Sequence, residues 1–154
     1  MLTLLKFRQG KSSCGPASLK IVLQFFGIKK SEKSLVELTG CTKEKGASGK
    51  AILKAAKSLG FKGFIKDSAK IKDIRKYVLE RKIPVIVDWF SKDDGHYSVV
   101  AHIDKENIYL LDPEFGEIRP IKIDTFKRVW FDFPGDYLKR KSDLILRRII
   151  VVYR

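Results

Sequence analysis

Only two of the 154 residues are cysteine, Cys14 and Cys41, and only two are histidine, His96 and His102. Two cysteines do not make a disulfide framework, so no covalent staple is expected. Neither the Cys pair nor the His pair has metal-ligand spacing, so a zinc site built from Cys14, Cys41, His96 and His102 is not expected, nor is any cofactor. Long apolar runs are also missing. The longest, such as Ile149–Val152, are far too short to span a bilayer. The first ten residues lack an apolar h-region and a small-residue cleavage site, so no signal peptide is expected. A transmembrane chain and a classically secreted one are therefore disfavoured.

What is present suits a globular domain. Hydrophobic residues make up 44% and charged residues 32%, enough to build a core and too apolar for disorder. The length predicts one domain, residues 1–154. The net charge is +14, and its placement matters more than its size. Residues 1–77 hold 18 basic and 5 acidic side chains, whereas residues 78–154 hold 14 and 13. A basic first half points to an acidic partner: nucleic acid, an anionic membrane or an acidic peptide. The plainer explanation is a lysine-rich composition, since Lys outnumbers Arg 23 to 9.

Helical signals fill the first half. Ser12 or Ser13 can cap a helix running to Phe26, with Pro16 in its first turn and Gly27 beyond its end. Ala17, Leu19, Ile21, Val22, Leu23, Phe25 and Phe26 leave it little polar face, so it belongs at the centre of the domain. A short helix is predicted over Glu32–Thr39, where Ser34 and Glu37 have capping-box spacing and Gly40 is the stop. Ser48 opens a third through Leu59, and Ser68 a fourth over Ile71–Arg81 with Ile71, Ile74, Val78 and Leu79 inward. Phe61–Lys66 is a strand candidate. From Pro84 the period becomes that of strands: Pro84–Phe90, His96–Ile103, Ile108–Leu111, Ile118–Ile123 and Leu146–Tyr153, with a helical excursion at Thr125–Phe131. Helices first and strands second predict an α+β fold with two lobes.

Four residues stand where chemistry is easy. Cys14 opens the buried helix, where free N–H groups and the positive end of the dipole favour thiolate; Gly15 beside it would let a substrate approach. By itself a cysteine is more often a small buried hydrophobe. His96 follows a glycine at the mouth of a strand and can face a thiol across a cleft. His102 lies about 20 Å further along an extended strand, so only one of the two can serve. Asp112, before Pro113, is either a turn opener or a carboxylate that orients His96. Gln9 has an amide that can donate to an oxyanion.

Taken together, Gln9, Cys14-Gly15-Pro16-Ala17-Ser18-Leu19, Ile83-Pro84-Val85-Ile86-Val87, Gly95-His96-Tyr97-Ser98-Val99-Val100 and Asp112-Pro113 with Gly116 resemble the papain-like cysteine peptidases. Within them the pattern is similar to the bacteriocin-processing, double-glycine leader peptidases and their stand-alone relatives. The resemblance implies a papain-like two-lobed fold, with an N-terminal helical lobe carrying the nucleophile and a C-terminal antiparallel β-sheet lobe. It implies a Cys14–His96–Asp112 triad with Gln9 completing the oxyanion hole. It also implies cleavage of a leader or precursor peptide after small residues. Two departures stand out: Gln9 is one residue nearer the cysteine than is usual, and His102 falls where relatives more often have Gly. An acidic leader peptide, steered by Lys50, Lys54, Lys57 and Lys72 on a positive cleft wall, would be the partner, with an ABC exporter as a second. The expected location is cytoplasmic, with peripheral attachment to the inner membrane face as the alternative. The rival functions are an acyl transferase using the same triad, a non-catalytic peptide-binding module of the same fold, and a nucleic-acid-binding protein. The last is disfavoured, because the lysines are scattered and no nucleic-acid motif or stacking platform is present.

For His96 and Asp112 to touch, both must point to one face of adjacent antiparallel strands. A two- or four-residue loop at Lys105-Glu106 would set Asp112 opposite Val99, on the wrong face. An odd-length loop around Asp104, or a bulge, is therefore predicted, setting His96 opposite Asp112.

Overall fold

Residues 1–10, 13–92 and 94–154 are described by a computed structural model of the chain. Helix α1, Cys14–Phe25, is the buried helix expected from its composition; Ala17, Leu19, Ile21, Val22 and Leu23 are all inaccessible. The predicted cap Ser12 lies outside the described residues. Ser13 precedes α1 but does not cap it: its hydroxyl donates to Glu32 Oε2 (2.5 Å) instead. Helix α2, Glu32–Thr39, is capped by Ser31, whose hydroxyl accepts from Ser34 N, rather than by Ser34, and Gly40 closes it in the left-handed region. Helix α3, Gly49–Ser58, is capped by Ser48 as expected.

The predicted fourth helix divides. Helix α4 covers only Ile71–Arg75, and Lys76–Glu80 continues as a wider π turn. Ser68, the expected opener, instead has positive φ, and the helix starts after Lys70, whose N–H donates to Asp73 Oδ2. Widening rotates the later residues relative to a 3.6-residue stripe, so Val78 is buried while Leu79, expected inward, is exposed.

Six antiparallel strands form the main sheet in the order β1-β8-β2-β3-β4-β5. They are β1 (Lys62–Lys66), β2 (Val85–Ser91), β3 (Asp94–Ile103), β4 (Asn107–Asp112), β5 (Glu117–Lys122) and β8 (Arg148–Tyr153). Helix α5 is Ile123–Val129, and the short β6 (Phe131–Asp132) and β7 (Ile145–Leu146) pair apart from the sheet. The sheet has a core on each face. Helices α1, α2 and α3 cover one, with Ile86, Tyr97, Val99, Leu111 and Ile150 beneath them. Residues of α4 and α5 cover the other, over Val85, Val87, Trp89, Val100 and Leu110. The fold is thus α+β with the helical half leading. The halves also share the sheet, because β1 from the first half pairs with β8 from the end of the chain.

Strands β3 and β4 hold the register device. Near their turn Ile103 pairs with Ile108 and His102 with Tyr109, but past Ala101 the pairs become Val100 with Leu110 and Val99 with Leu111. The one-residue bulge at Ala101 shifts the parity of everything beyond it. Without it, Asp112 would fall opposite Val99 and face the α1 side.

Candidate active site

The N-terminus of α1 meets the open ends of β3 and β4 at a cleft of about 820 Å³, lined by Gln9, Cys14, Gly95 and His96 among others. Cys14 is the first residue of α1 and is half-buried. The first intrahelical bond runs from Ala17 N to Ser13 O, and Pro16 has no N–H, so the N–H groups of Cys14 and Gly15 lack intrahelical partners. Gly15 is buried and does not border the cleft: a Cβ there would stand 3.1 Å from Ile52 Cδ1 and 3.3 Å from Ala47 Cβ. Its role is close packing of α1 against α3, in place of the substrate approach expected from sequence.

His96 lies near the start of β3, 7% exposed. Its Nε2 is 2.5 Å from Asp112 Oδ1. With Nε2 committed to the carboxylate, Nδ1 is the nitrogen left for the cleft. Trp89, the cross-strand partner of His96, packs edge-on to the ring at 6.0 Å, and its indole N–H is tied to Ser98 Oγ. Gly95, next to His96, has a structural reason of its own, since any Cβ would collide with the Asp132 carboxylate.

Asp112 ends β4 and is fully buried. Its Oδ1 also accepts from Glu114 N (3.0 Å), and its Oδ2 accepts from Arg119 Nη2 (2.8 Å). The bulge sets His96 and Asp112 on one face as the parity argument requires. They meet diagonally rather than directly opposite, because extending the Val99–Leu111 register by one pair sets Asp112 beside Ser98.

The electrostatics of the pair follow from these contacts. Burial alone would lower the pKa of His96, but its hydrogen bonds with Asp112 and with Cys14 outweigh that and push it up to about 10. Burial would raise Asp112, and the His96, Glu114 and Arg119 contacts override it, holding the carboxyl below its ordinary value. Cys41 is different: burial and the negative charges of Cys14 and Glu32 all push its thiol up.

Gln9 is anchored by its backbone N–H, which donates to Pro113 O (2.7 Å) in the turn after Asp112. Its side-chain oxygen is buried without a partner among the described residues. His102 sits past the bulge, against the Tyr109 ring at 5.4 Å, outside the cleft lining. The zinc quartet does not gather. Among the described residues, the one His/Cys/Asp/Glu group close enough to share an ion is His96, Asp112 and Glu114.

Three features escape a reading of sequence alone. Glu32 acts through Gly10 and Ser13, distant in sequence, and Arg119 through Asp112 across one strand pair; no local pattern marks either. Asp88 did carry a signal, a carboxylate inside the apolar run Ile83–Phe90. It is completely buried, with neither oxygen hydrogen-bonded among the described residues. Burial and the neighbouring Asp132 carboxyl push it well above the usual carboxylate range. The expected positive wall is also corrected. Among the described residues, the Lys, Arg, Asp and Glu side chains lining the cleft are Arg8 and Lys92 against Asp94 and Glu114, while Lys50, Lys54, Lys57 and Lys72 lie outside its lining. Lys72 is on α4, across the sheet from α3.

A thiol at a helix start, an imidazole facing it and a buried carboxylate behind the imidazole, on an α+β scaffold, define the class of cysteine-type peptidases. The sequence profile of the Peptidase C39 family matches residues 5–133, and the chain belongs to that family. An uncharacterized protein of Methanothermobacter marburgensis is 35% identical over 133 residues, covering 85% of this chain and 84% of that one. The fold is similar to the peptidase domain of Streptococcus ComA, described as a bi-functional ABC transporter involved in a quorum-sensing pathway. That likeness has a TM-score of 0.76 and 24% identity over 99% of this chain and 98% of that one. It is also similar to a double-glycine-motif protease from an AMS/PCAT transporter, solved with the leader peptide, with a TM-score of 0.71 and 18% identity over 99% and 92% of the two chains.

Proposed function

We propose that residues 1–154 act as one peptidase domain that cleaves a leader or precursor peptide after small residues, using Cys14, His96, Asp112 and Gln9. The observation that carries this reading is the meeting in one cleft of the α1 N-terminal thiol with an imidazole whose other nitrogen is held by a buried carboxylate. The substrate class and the partnership rest on relatives. The AMS/PCAT protease binds a leader peptide, and both it and ComA belong to transporters. An ABC exporter is therefore the proposed partner, and the cytoplasmic side of the inner membrane the proposed place of work. No described helix is long and apolar enough to cross a membrane.

The steps follow from the proton positions. The reaction starts from the pair in which His96, its pKa pushed up to about 10, has taken the thiol proton. The Cys14 thiolate attacks the scissile carbonyl carbon. Its oxygen becomes an oxyanion facing the Gln9 amide and the Cys14 backbone N–H at the start of α1. His96 then gives its proton to the departing amine, leaving a thioester on Cys14. The neutral imidazole next deprotonates a water, which attacks the thioester and frees the acid. Asp112 stays ionised throughout and fixes the ring.

Turnover of a peptide carrying a Gly-Gly site, read by mass, tests the reading. Cys14→Ala should abolish cleavage with little change in melting temperature, since the substitution removes little volume. His96→Ala should lower kcat by about 10²–10⁴-fold, and His102→Ala should have far less effect. Cleavage that survives Cys14→Ala, or is lost in His102→Ala but not in His96→Ala, would refute it.

A further inference from the structure

The His96–Asp112 contact does not end at Asp112. Strands β3, β4 and β5 are consecutive in the sheet, and each contributes one polar side chain to a row on the same face. In β4 and β5, Leu110 pairs with Arg119 and Asp112 with Glu117. Arg119 is therefore the diagonal same-face neighbour of Asp112 on one side, as His96 is on the other. The two carboxylate oxygens are divided between them: Oδ1 takes His96 Nε2, and Oδ2 takes Arg119 Nη2 at 2.8 Å. Asp112 is inaccessible to solvent, and Arg119 is the side chain that donates to its Oδ2. The guanidinium is itself held. Its carbon lies 4.9 Å over the Phe115 ring, and Lys92 covers the same ring at 5.2 Å. Phe115 belongs to the turn whose N–H groups, from Phe115 and Gly116, return to Asp112 O.

We propose that Arg119 is a positioning residue for the peptidase reaction. By holding Oδ2 it stops the buried carboxylate from rotating about its Cβ–Cγ bond and keeps Oδ1 on the imidazole, and so keeps the imidazole on the thiol. This rests on the triad reading above. Without Arg119 the carboxylate has one fixed oxygen instead of two, and the ring that must shuttle a proton loses its rigid backing. Arg119 supplies no group to the reacting atoms and does not border the cleft. Its loss should therefore fall on kcat and leave substrate binding alone.

The test compares wild type, Arg119→Ala, Arg119→Lys and Cys14→Ala in two measurements. These are turnover of the Gly-Gly peptide and the rate of iodoacetamide alkylation at pH 6, which needs no substrate. For Arg119→Ala the expected result is a kcat lower by roughly 10- to 100-fold, KM within twofold of wild type and a slower alkylation of Cys14. Arg119→Lys, which restores a cation to Oδ2, should recover most of both rates. A wild-type kcat and alkylation rate in Arg119→Ala would overturn the proposal. So would a raised KM at unchanged kcat, which would make Arg119 a substrate contact. If Arg119→Ala does not fold, Arg119→Met, which keeps an unbranched apolar stem but has no donor for Oδ2, carries the same expected and contrary results. Undiminished cleavage by Cys14→Ala would instead sink the triad reading itself, whatever the Arg119 variants do.

Discussion

At the scale of single residues, Asp88 has the largest mismatch between chemistry and surroundings. A buried carboxylate beside a second carboxyl, Asp132, is costly when charged, and the side chain avoids part of that cost by staying protonated. The sign of the pH effect follows. Unfolded, Asp88 releases its proton near the ordinary value of 3.8, whereas in the folded chain it holds the proton well above that. Between those limits the native state binds more protons than the unfolded state, so stability falls as pH rises from about 4. Asp88→Asn, a neutral near-isostere, removes that slope. Its melting temperature should exceed wild type at pH 7, and the gap should close toward pH 4. A melting temperature at pH 7 lower than wild type would show that the charge, or a proton shared with Asp132, is what the fold requires.

At the scale of elements, the bulge at Ala101 decides whether a site exists. It costs one ladder pair and turns the face of β3 relative to β4, which brings the His96 and Asp112 side chains together. Deleting Ala101, the unpaired residue, should leave a regular ladder in which Val100–Leu110 follows His102–Tyr109 directly, so Asp112 stays beside Ser98 and cleavage is kept. NMR titration should show the His96 pKa staying at about 10. A folded deletion variant that cleaves at less than a tenth of the wild-type rate would mean that the bend at the bulge, and not its parity alone, brings His96 and Asp112 together. Much at this scale was legible in the sequence. The positions of α1, α2 and α3 follow from Ser and Gly punctuation around apolar stripes, and Cys14, His96 and Asp112 stand out because each lies at an element end beside Gly or Pro. The π turn at Lys76–Glu80 was not legible, since a widened turn keeps a helical composition while rotating Leu79 outward. Nor were β6 and β7, since two-residue strands have no period to read. The place of Arg119 behind His96 depends on two strand registers at once, β3 with β4 and β4 with β5, which no local pattern encodes.

At the scale of the whole molecule, the described residues do not concentrate the excess positive charge at the cleft, where Arg8 and Lys92 are set against Asp94 and Glu114. The lysines on α3 and α4 lie on opposite faces of the sheet, so they can act on an acidic peptide only through the long-range field. Raising ionic strength from 0.1 M to 1 M shortens the Debye length from about 10 Å to about 3 Å. Over that range kcat/KM for an acidic peptide should fall several-fold with kcat little changed, because steering acts on association. A neutral peptide with the same cleavage site should respond weakly. Equal salt dependence for the two would mean that the charge of +14 is compositional and plays no part in capture.

Iodoacetamide labelling at pH 6, followed by intact mass and peptide mapping in wild type and His96→Ala, tests the central claim most directly, because it needs no knowledge of the substrate. The two thiols sit in opposite settings: Cys14 beside an imidazolium at a helix N-terminus, Cys41 with its thiol pushed up by burial and by neighbouring negative charge. The account predicts a single rapid label on Cys14 in the wild type, no comparable label on Cys41, and a Cys14 rate lower by at least tenfold in His96→Ala. Preferential labelling of Cys41, or a Cys14 rate unchanged by His96→Ala, would contradict it.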